Sequence, residues 1–185
     1  MKNKYIIILF GAPGSGKTTI GEKLSEVLQK SIFISAGSVM REEMKLTPPF
    51  LDVDRGRVVD FIFKKYRDSG SDTLILDCNP YPPEMWGECK KKINLFDKSF
   101  FAEINAPDEI LLRRLNKRKR IDHKDFSYEQ RLKYYYNNVR PRINILAKHE
   151  EVMSFKNINL DDVDKIIMKI KELVACGNNK TLYKI

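Results

Sequence analysis

Short apolar runs alternate with amphipathic stretches along the whole 185-residue chain. Five runs bounded by turn residues read as buried strands: Tyr5–Phe10, Ser31–Ser35, Thr73–Asp77, 99–105 and 152–155. Between them the apolar spacing becomes helical. Ile20, Leu24, Val27 and Leu28 share one face, and Val58, Val59, Ile62, Phe63 and Tyr66 share another. Pro107 suits the first turn of a helix carrying Ile110, Leu111 and Leu115. Ser127 and Gln130 have the spacing of a capping box and open a long helix toward His149, with a kink expected at Pro141. A last amphipathic helix spans Leu160–Cys176 and stops at Gly177. This alternation predicts an α/β fold: one domain over residues 1–185, a doubly wound five-stranded parallel sheet with helices on both faces, in three layers. Ligands of such sheets bind beyond the carboxyl ends of the strands.

The first strand leads directly into Gly11-Ala12-Pro13-Gly14-Ser15-Gly16-Lys17-Thr18, which matches the phosphate-loop pattern residue for residue. Glycines let the backbone curl so that successive N–H groups point inward at a phosphate, and the following helix adds its dipole. Lys17 is placed to reach the β- and γ-phosphates, and the Thr18 hydroxyl to hold Mg²⁺. Thr19 completes the loop's entry into the helix. The pattern predicts nucleoside triphosphate binding without choosing among GTPases, ATPases and small-molecule kinases. A switch GTPase is disfavoured: its guanine reader needs an Asp after Asn-Lys-x, and Asn116-Lys117-Arg118-Lys119 lacks it.

Composition narrows the partners. Lys and Arg number 34 against 25 Asp and Glu, a formal charge of +9. Residues 111–142 alone carry eleven basic and three acidic side chains, so the charge is nearly all in one segment. That segment reads as a solvated helix face, a clamp of guanidiniums on a transferring phosphoryl group, or a nucleic-acid surface. Nucleic acid is the weakest of the three, because Tyr134, Tyr135 and Tyr136 follow one another round a helix and form no common stacking face. Cys78, Cys89 and Cys176 make no CxxC pair or disulfide framework, which suits a reducing cytosol. The six-residue run at Tyr5–Phe10 is too short for a signal peptide or a membrane span. A cytoplasmic monomer away from membranes is expected.

Nearly the whole chain resembles the adenylate kinase (nucleoside monophosphate kinase) family. The resemblance rests on the loop at Gly11–Lys17, on Ile34-Ser35-Ala36-Gly37-Ser38-Val39-Met40-Arg41, and on Leu76-Asp77-Cys78-Asn79-Pro80-Tyr81. It continues through Pro107-Asp108-Glu109, Arg114 to Arg118, Arg120-Ile121-Asp122, Arg131 and Pro141. It implies a P-loop kinase that transfers a phosphoryl group in line and reversibly from ATP, with Mg²⁺, to a nucleoside monophosphate, AMP being the default acceptor. Gly11, Pro13, Gly14, Ser15, Gly16, Lys17, Thr18, Thr19, Arg114 and Arg118 would bind ATP, with Arg114 stacking on adenine. Lys17, Arg118, Arg120 and Arg131 would catalyse. Thr18 and, through water, Asp77 would hold the metal. Ala36, Arg41, Asn79, Tyr81, Arg120 and Arg131 would bind the acceptor, within a subregion at 36–70. A short lid at 117–126 would close over the phosphates and, lacking four cysteines, would carry no zinc.

The donor half follows the family pattern and the acceptor half departs from it. Thr-Gly-Asp is replaced by Ala36-Gly37-Ser38, and an acceptor-phosphate arginine by Tyr81. A later Gln is absent, with Met85 in register beside Glu84, and the stretch from Arg41 to Asp77 is short. Losing a fixed cation at a doubly charged ligand predicts weaker acceptor binding or a different acceptor. Two further readings therefore stand beside the first: a P-loop kinase of another small molecule, and a nucleotide-binding regulator that has lost its acceptor. His123 reads as a solvent contact, His149 as a helix-end cation, and Trp86 as a rim or core residue near the acceptor cleft.

Overall fold

A computed structural model describes residues 3–46, 54–81, 86–117 and 127–176. Strands β1 (Tyr5–Phe10), β2 (Ser31–Ser35), β3 (Thr73–Asp77), β4 (Lys98–Asn105) and β5 (Val152–Lys156) form one parallel sheet in the order β2-β3-β1-β4-β5. The helices are α1 (Lys17–Val27), the single turn α2 (Ala36–Ser38), α3 (Arg55–Asp68), α4 (Trp86–Ile93), α5 (Asp108–Lys117), α6 (Tyr128–Tyr134), α7 (Arg140–Leu146) and α8 (Leu160–Cys176).

All six residues of β1 are buried, because side chains alternate across a strand and both faces of this sheet are covered. Ile6, Ile8 and Phe10 pack with Val58 and Ile62 of α3, Leu132 of α6 and Ile143 of α7. Tyr5, Ile7 and Leu9 pack on the other side with Ile20 and Leu24 of α1 and with Ile166 and Ile170 of α8. This is the expected three-layer α/β fold. From β1 the chain crosses to β2 and returns through β3, then crosses to β4 and β5. The strand order therefore reverses at β1, and a crevice opens there beyond the strand ends. Leu9 is level with Asp77 of β3, and Phe10 with Glu103 of β4, so three strand ends meet where the phosphate loop begins.

The structure refines several sequence expectations. Val27 is exposed rather than part of the buried face of α1. The carbonyl of Pro107 accepts from the N–H groups of Ile110 and Leu111, so Pro107 precedes α5 instead of lying in its first turn. The capping box is formed: Ser127 Oγ accepts from the Gln130 N–H, and Gln130 Oε1 accepts from the Ser127 N–H. The long helix it opens is divided. A π-helical turn, Tyr135–Val139, separates α6 from α7, which ends at Leu146, short of His149. Proline offers no N–H to the preceding turn and its ring crowds that turn's carbonyl. The wider turn just before Pro141, closed by the Arg140 N–H on the Tyr135 carbonyl, absorbs the misfit that was expected as a kink. Three elements went unread in the sequence: the single turn α2, the π-helical turn Val39–Glu43 after it, and α4. Gly177 and residues 118–126, which include Arg118, Arg120 and His123, lie outside the described residues. No helix among the described residues is long and apolar enough to cross a membrane.

Candidate functional site

The loop between β1 and α1 takes its shape from glycine at two points where nothing else fits. Gly11 has φ +142°, and a Cβ there would lie 2.2 Å from the Ile104 carbonyl oxygen. Gly16 has φ +97°, and a Cβ there would lie 2.3 Å from Asn157 Nδ2. Asn157, just past β5, is buried, and its Nδ2 donates to the Ser15 carbonyl at 2.7 Å. Its own N–H donates to the Asn105 carbonyl, so the ends of β4 and β5 brace the phosphate loop from behind. Holding the amide nitrogen on Ser15 leaves Asn157 Oδ1 buried without a hydrogen-bond partner. From the sequence Asn157 reads only as a turn residue.

Lys17 opens α1 and folds back over the loop. Its Nζ donates to the Gly11 and Ala12 carbonyls at 2.9 and 3.0 Å and to Ser15 Oγ at 3.4 Å. Beside it, Thr18 Oγ1 donates to Asp77 Oδ2 at 3.1 Å, which joins the first turn of α1 to the end of β3. A hydroxyl and a carboxylate in contact are hard oxygen donors. Mg²⁺ takes one or two such protein ligands and fills its octahedron with water and phosphate oxygens, so these residues fit it. Asn79 Oδ1 accepts from the Gly11 N–H at 3.0 Å, so this expected acceptor residue steadies the start of the loop. Thr19 is exposed and turned away from the crevice.

The crevice is a cleft of about 310 Å³. Pro13, Gly14, Gly16, Lys17 and Thr18 line one part of it, and Ala36, Arg41, Asp77, Asn79, Tyr81 and Arg131 line the rest. The structure thus gathers these donor and acceptor residues around a single space, whereas Gly11, Ser15 and Thr19 do not line it and Arg118 and Arg120 lie outside the described residues. Arg41, on the π-helical turn after α2, donates to Ser38 Oγ at 3.3 Å. Tyr81 is held well above the usual phenol range by burial. Arg55, at the start of α3, was not anticipated as a ligand, and Arg142, in α7, was anticipated only as part of the basic segment weighed as a clamp. Arg131, Tyr134, Val139 and Arg142 all face the cleft although they span α6, the π turn and α7. At about 100° per residue their unbroken-helix positions would spread over roughly 140°. Absorbing one residue in the π turn narrows that to about 80°. The bulge before Pro141 therefore draws Tyr134 and Val139 toward the same side as the arginines, while Arg131 and Arg142 themselves go from about 20° to about 80° apart and still line one cleft.

Arg114 does not line this cleft. Its guanidinium donates to the carbonyls of Asn157 and Ile158 at 3.0 and 3.2 Å, tying α5 to the segment that braces the phosphate loop.

Behind Tyr81 the cleft shares a wall with an apolar cavity of about 40 Å³ that Cys78 and Cys89 both line. Burial pushes the Cys78 thiol up to about 12 and the Cys89 thiol up to about 11. The thiolate is the nucleophile, so at pH 8 its fraction falls to about 10⁻⁴ and 10⁻³, against roughly a quarter for an ordinary thiol. Cys176 is exposed. Iodoacetamide at pH 8 is expected to label Cys176 alone in the folded protein and all three cysteines in urea, as peptide mass spectrometry will read. Rapid labelling of Cys78 in the folded chain would contradict this wall.

A family model described as an AAA domain matches residues 7–138. The adenylate kinase of Campylobacter concisus is 27% identical over 190 residues, covering 95% of this chain and 98% of that protein. The adenylate kinase of Phocaeicola vulgatus is 30% identical over 166 residues, covering 74% of this chain and 82% of that protein. Among solved structures, the shikimate kinase of Bacteroides thetaiotaomicron superposes with a TM-score of 0.59 at 15% identity, over 94% of this chain and 99% of that one. A shikimate kinase of Acinetobacter baumannii gives 0.57 at 17% identity, over 97% of both chains. At such identity these two structures speak for the fold, that of the P-loop kinases.

Proposed function

The chain belongs to the adenylate kinase family of P-loop proteins, and on that premise we infer that it transfers a phosphoryl group from ATP to a nucleoside monophosphate. That it is a kinase follows from the family and the fold. The acceptor is the inferred part, with AMP first. One observation supports it most: the phosphate loop and the arginines of α6, α7 and the turn after β2 share one cleft, so a triphosphate on the loop would bring its γ-phosphate toward a basic acceptor space.

Transfer of this kind needs positioning and charge neutralisation, with no covalent step on the protein. Loop N–H groups cradle the donor phosphates, and Lys17 leaves its carbonyl partners for the β- and γ-oxygens. Thr18 and Asp77 would hold Mg²⁺, which when bound neutralises charge on the same oxygens. Arg131 and Arg142 reach the transferring group from α6 and α7, and Arg41 reaches the acceptor phosphate. Arg118 and Arg120 are assigned to the lid from sequence, closing over the phosphates and excluding water so that ATP is not simply hydrolysed. Arg114 is assigned to the adenine from the family resemblance alone, its guanidinium here being tied to the Asn157 and Ile158 carbonyls. A monomer working in the cytoplasm completes the proposal.

Tyr81 and Ala36 favour a second reading, in which a different small anionic molecule takes the acceptor place. ADP formation from Mg-ATP across a panel of nucleoside monophosphates separates the two. Turnover is expected to depend on the monophosphate and to be fastest with AMP. No acceptor-dependent ADP with any member of the panel would reject the first reading.

A further inference from the structure

The cleft walls carry five cations, Lys17, Arg41, Arg55, Arg131 and Arg142, against one carboxylate, Asp77. That carboxylate is already engaged by Thr18. Arg55 stands apart from the others. It opens α3 directly after the cap residue Asp54, whose Oδ1 accepts from the Arg57 N–H instead of pairing with Arg55. No carboxylate among the described residues forms an ion pair with it. Its guanidinium instead lies over the Tyr81 ring, 5.9 Å from the centroid. A ring face holds a cation and orients it while leaving its N–H edges available, which no carboxylate partner would do. Tyr81 itself is half-buried between this cation and the apolar cavity, which backs the ring on its far side.

We propose that Arg55, seated on the face of Tyr81, is a ligand of the acceptor's phosphate, supplying from the start of α3 the charge that position 81 does not carry. The proposal rests on the reading of this cleft as the site of an anionic acceptor. It also gives Tyr81 a purpose: the aromatic ring orients a cation that is 26 positions earlier in the chain. An arginine bonded to a phosphate through paired N–H groups is a strong, charge-assisted contact. Its loss weakens binding by roughly 10- to 100-fold.

Calorimetric titration of AMP, with ATP titrated separately, tests this without requiring turnover. Arg55→Ala is expected to raise the Kd for AMP at least about tenfold while the Kd for ATP stays within about twofold. Arg55→Lys is expected to recover part of the loss, because it keeps the charge without the paired geometry. Tyr81→Leu removes the ring and is expected to weaken AMP binding several-fold, with Tyr81→Phe, the conservative variant, recovering most of it. An unchanged Kd for AMP in Arg55→Ala overturns the proposal and leaves the acceptor reading standing. Equal losses for AMP and ATP also overturn it, because they mark a structural role. If the parent binds and uses no monophosphate, the acceptor reading fails first, and inorganic phosphate becomes the probe. Arg55→Ala must then lose part of the rise in Tm that phosphate gives the parent, the phosphate loop supplying the remainder, and an undiminished rise rejects Arg55 as an anion ligand.

Discussion

Lys17→Ala is expected to cut kcat by about 10²–10³-fold while the protein melts within a few degrees of the parent. The size follows from what the side chain does and when. Before nucleotide arrives, Nζ is held by the Gly11 and Ala12 carbonyls and by Ser15 Oγ, within 3.4 Å of all three. Those are neutral partners at the edge of an open cleft, so water replaces the ammonium at little cost and the fold does not depend on it. In the transition state the negative charge spreads over the oxygens of the moving group, and a fixed cation there is worth far more than in the ground state. The loss should therefore appear in kcat more than in the affinity for ATP, because the loop's N–H groups still hold the ground-state phosphates. Lys17→Arg tests the geometry separately. A planar guanidinium cannot make the three-way contact that a compact ammonium makes, so it should restore little. A coupled ADP assay, a melting curve and an ATP titration on the same preparations check all three statements. A variant that retained most of its kcat would remove Lys17 from the reaction.

What sequence could and could not supply divides along a physical line. The phosphate loop was legible because its requirements are local: Gly11 and Gly16 sit where a Cβ would strike backbone or an amide, and nothing distant changes that. The sheet was legible because β1 is buried on both faces and its composition says so. Long-range partners were not legible. Asn157 looks like any polar residue after a strand until its amide is seen on Ser15. Arg55 looks like a helix-start cation until Tyr81 is found beneath it. The π turn was legible only in its cause: Pro141 announced that the helix could not run straight, and not that Arg131, Tyr134, Val139 and Arg142 would together line one cleft across the correction. Helix α4 escaped because Lys90, Lys91 and Lys92 mask a short pattern whose buried members are Cys89 and Ile93. Arg118 and Arg120 remain sequence assignments, resting on the resemblance to the family.

Glu103 carries the other large effect, on stability, and links the sheet to the arginine-bearing helices. It is one of few charged side chains buried in the described structure, in β4, where alternation turns it toward the face covered by α6 and α7. Its Oε1 accepts from Arg140 and, at 3.5 Å, from the Tyr135 hydroxyl, which burial pushes up to about 12. Glu103→Ala strips both donors of their acceptor. Breaking a fully buried pair costs roughly 3–5 kcal/mol, but Arg140 is 39% exposed and can turn to water, so about 2–3 kcal/mol is expected. In a chain of this length that lowers Tm by roughly 5–10 °C. Glu103→Gln keeps the shape and an acceptor for Tyr135, and should lose about half as much. The pair's net worth is a separate matter, because well-packed apolar residues often replace a buried ion pair without loss. Glu103→Leu combined with Arg140→Leu is therefore expected to recover most of the Tm. It should not recover kcat. The link pins the junction of the π turn and α7, two residues before Arg142, and a small misplacement of a charge-stabilising group costs about tenfold or more in rate. If the double variant regained both stability and full kcat, the link would serve folding alone. A recovered Tm with a depressed kcat means that β4 holds the cleft's arginines in register.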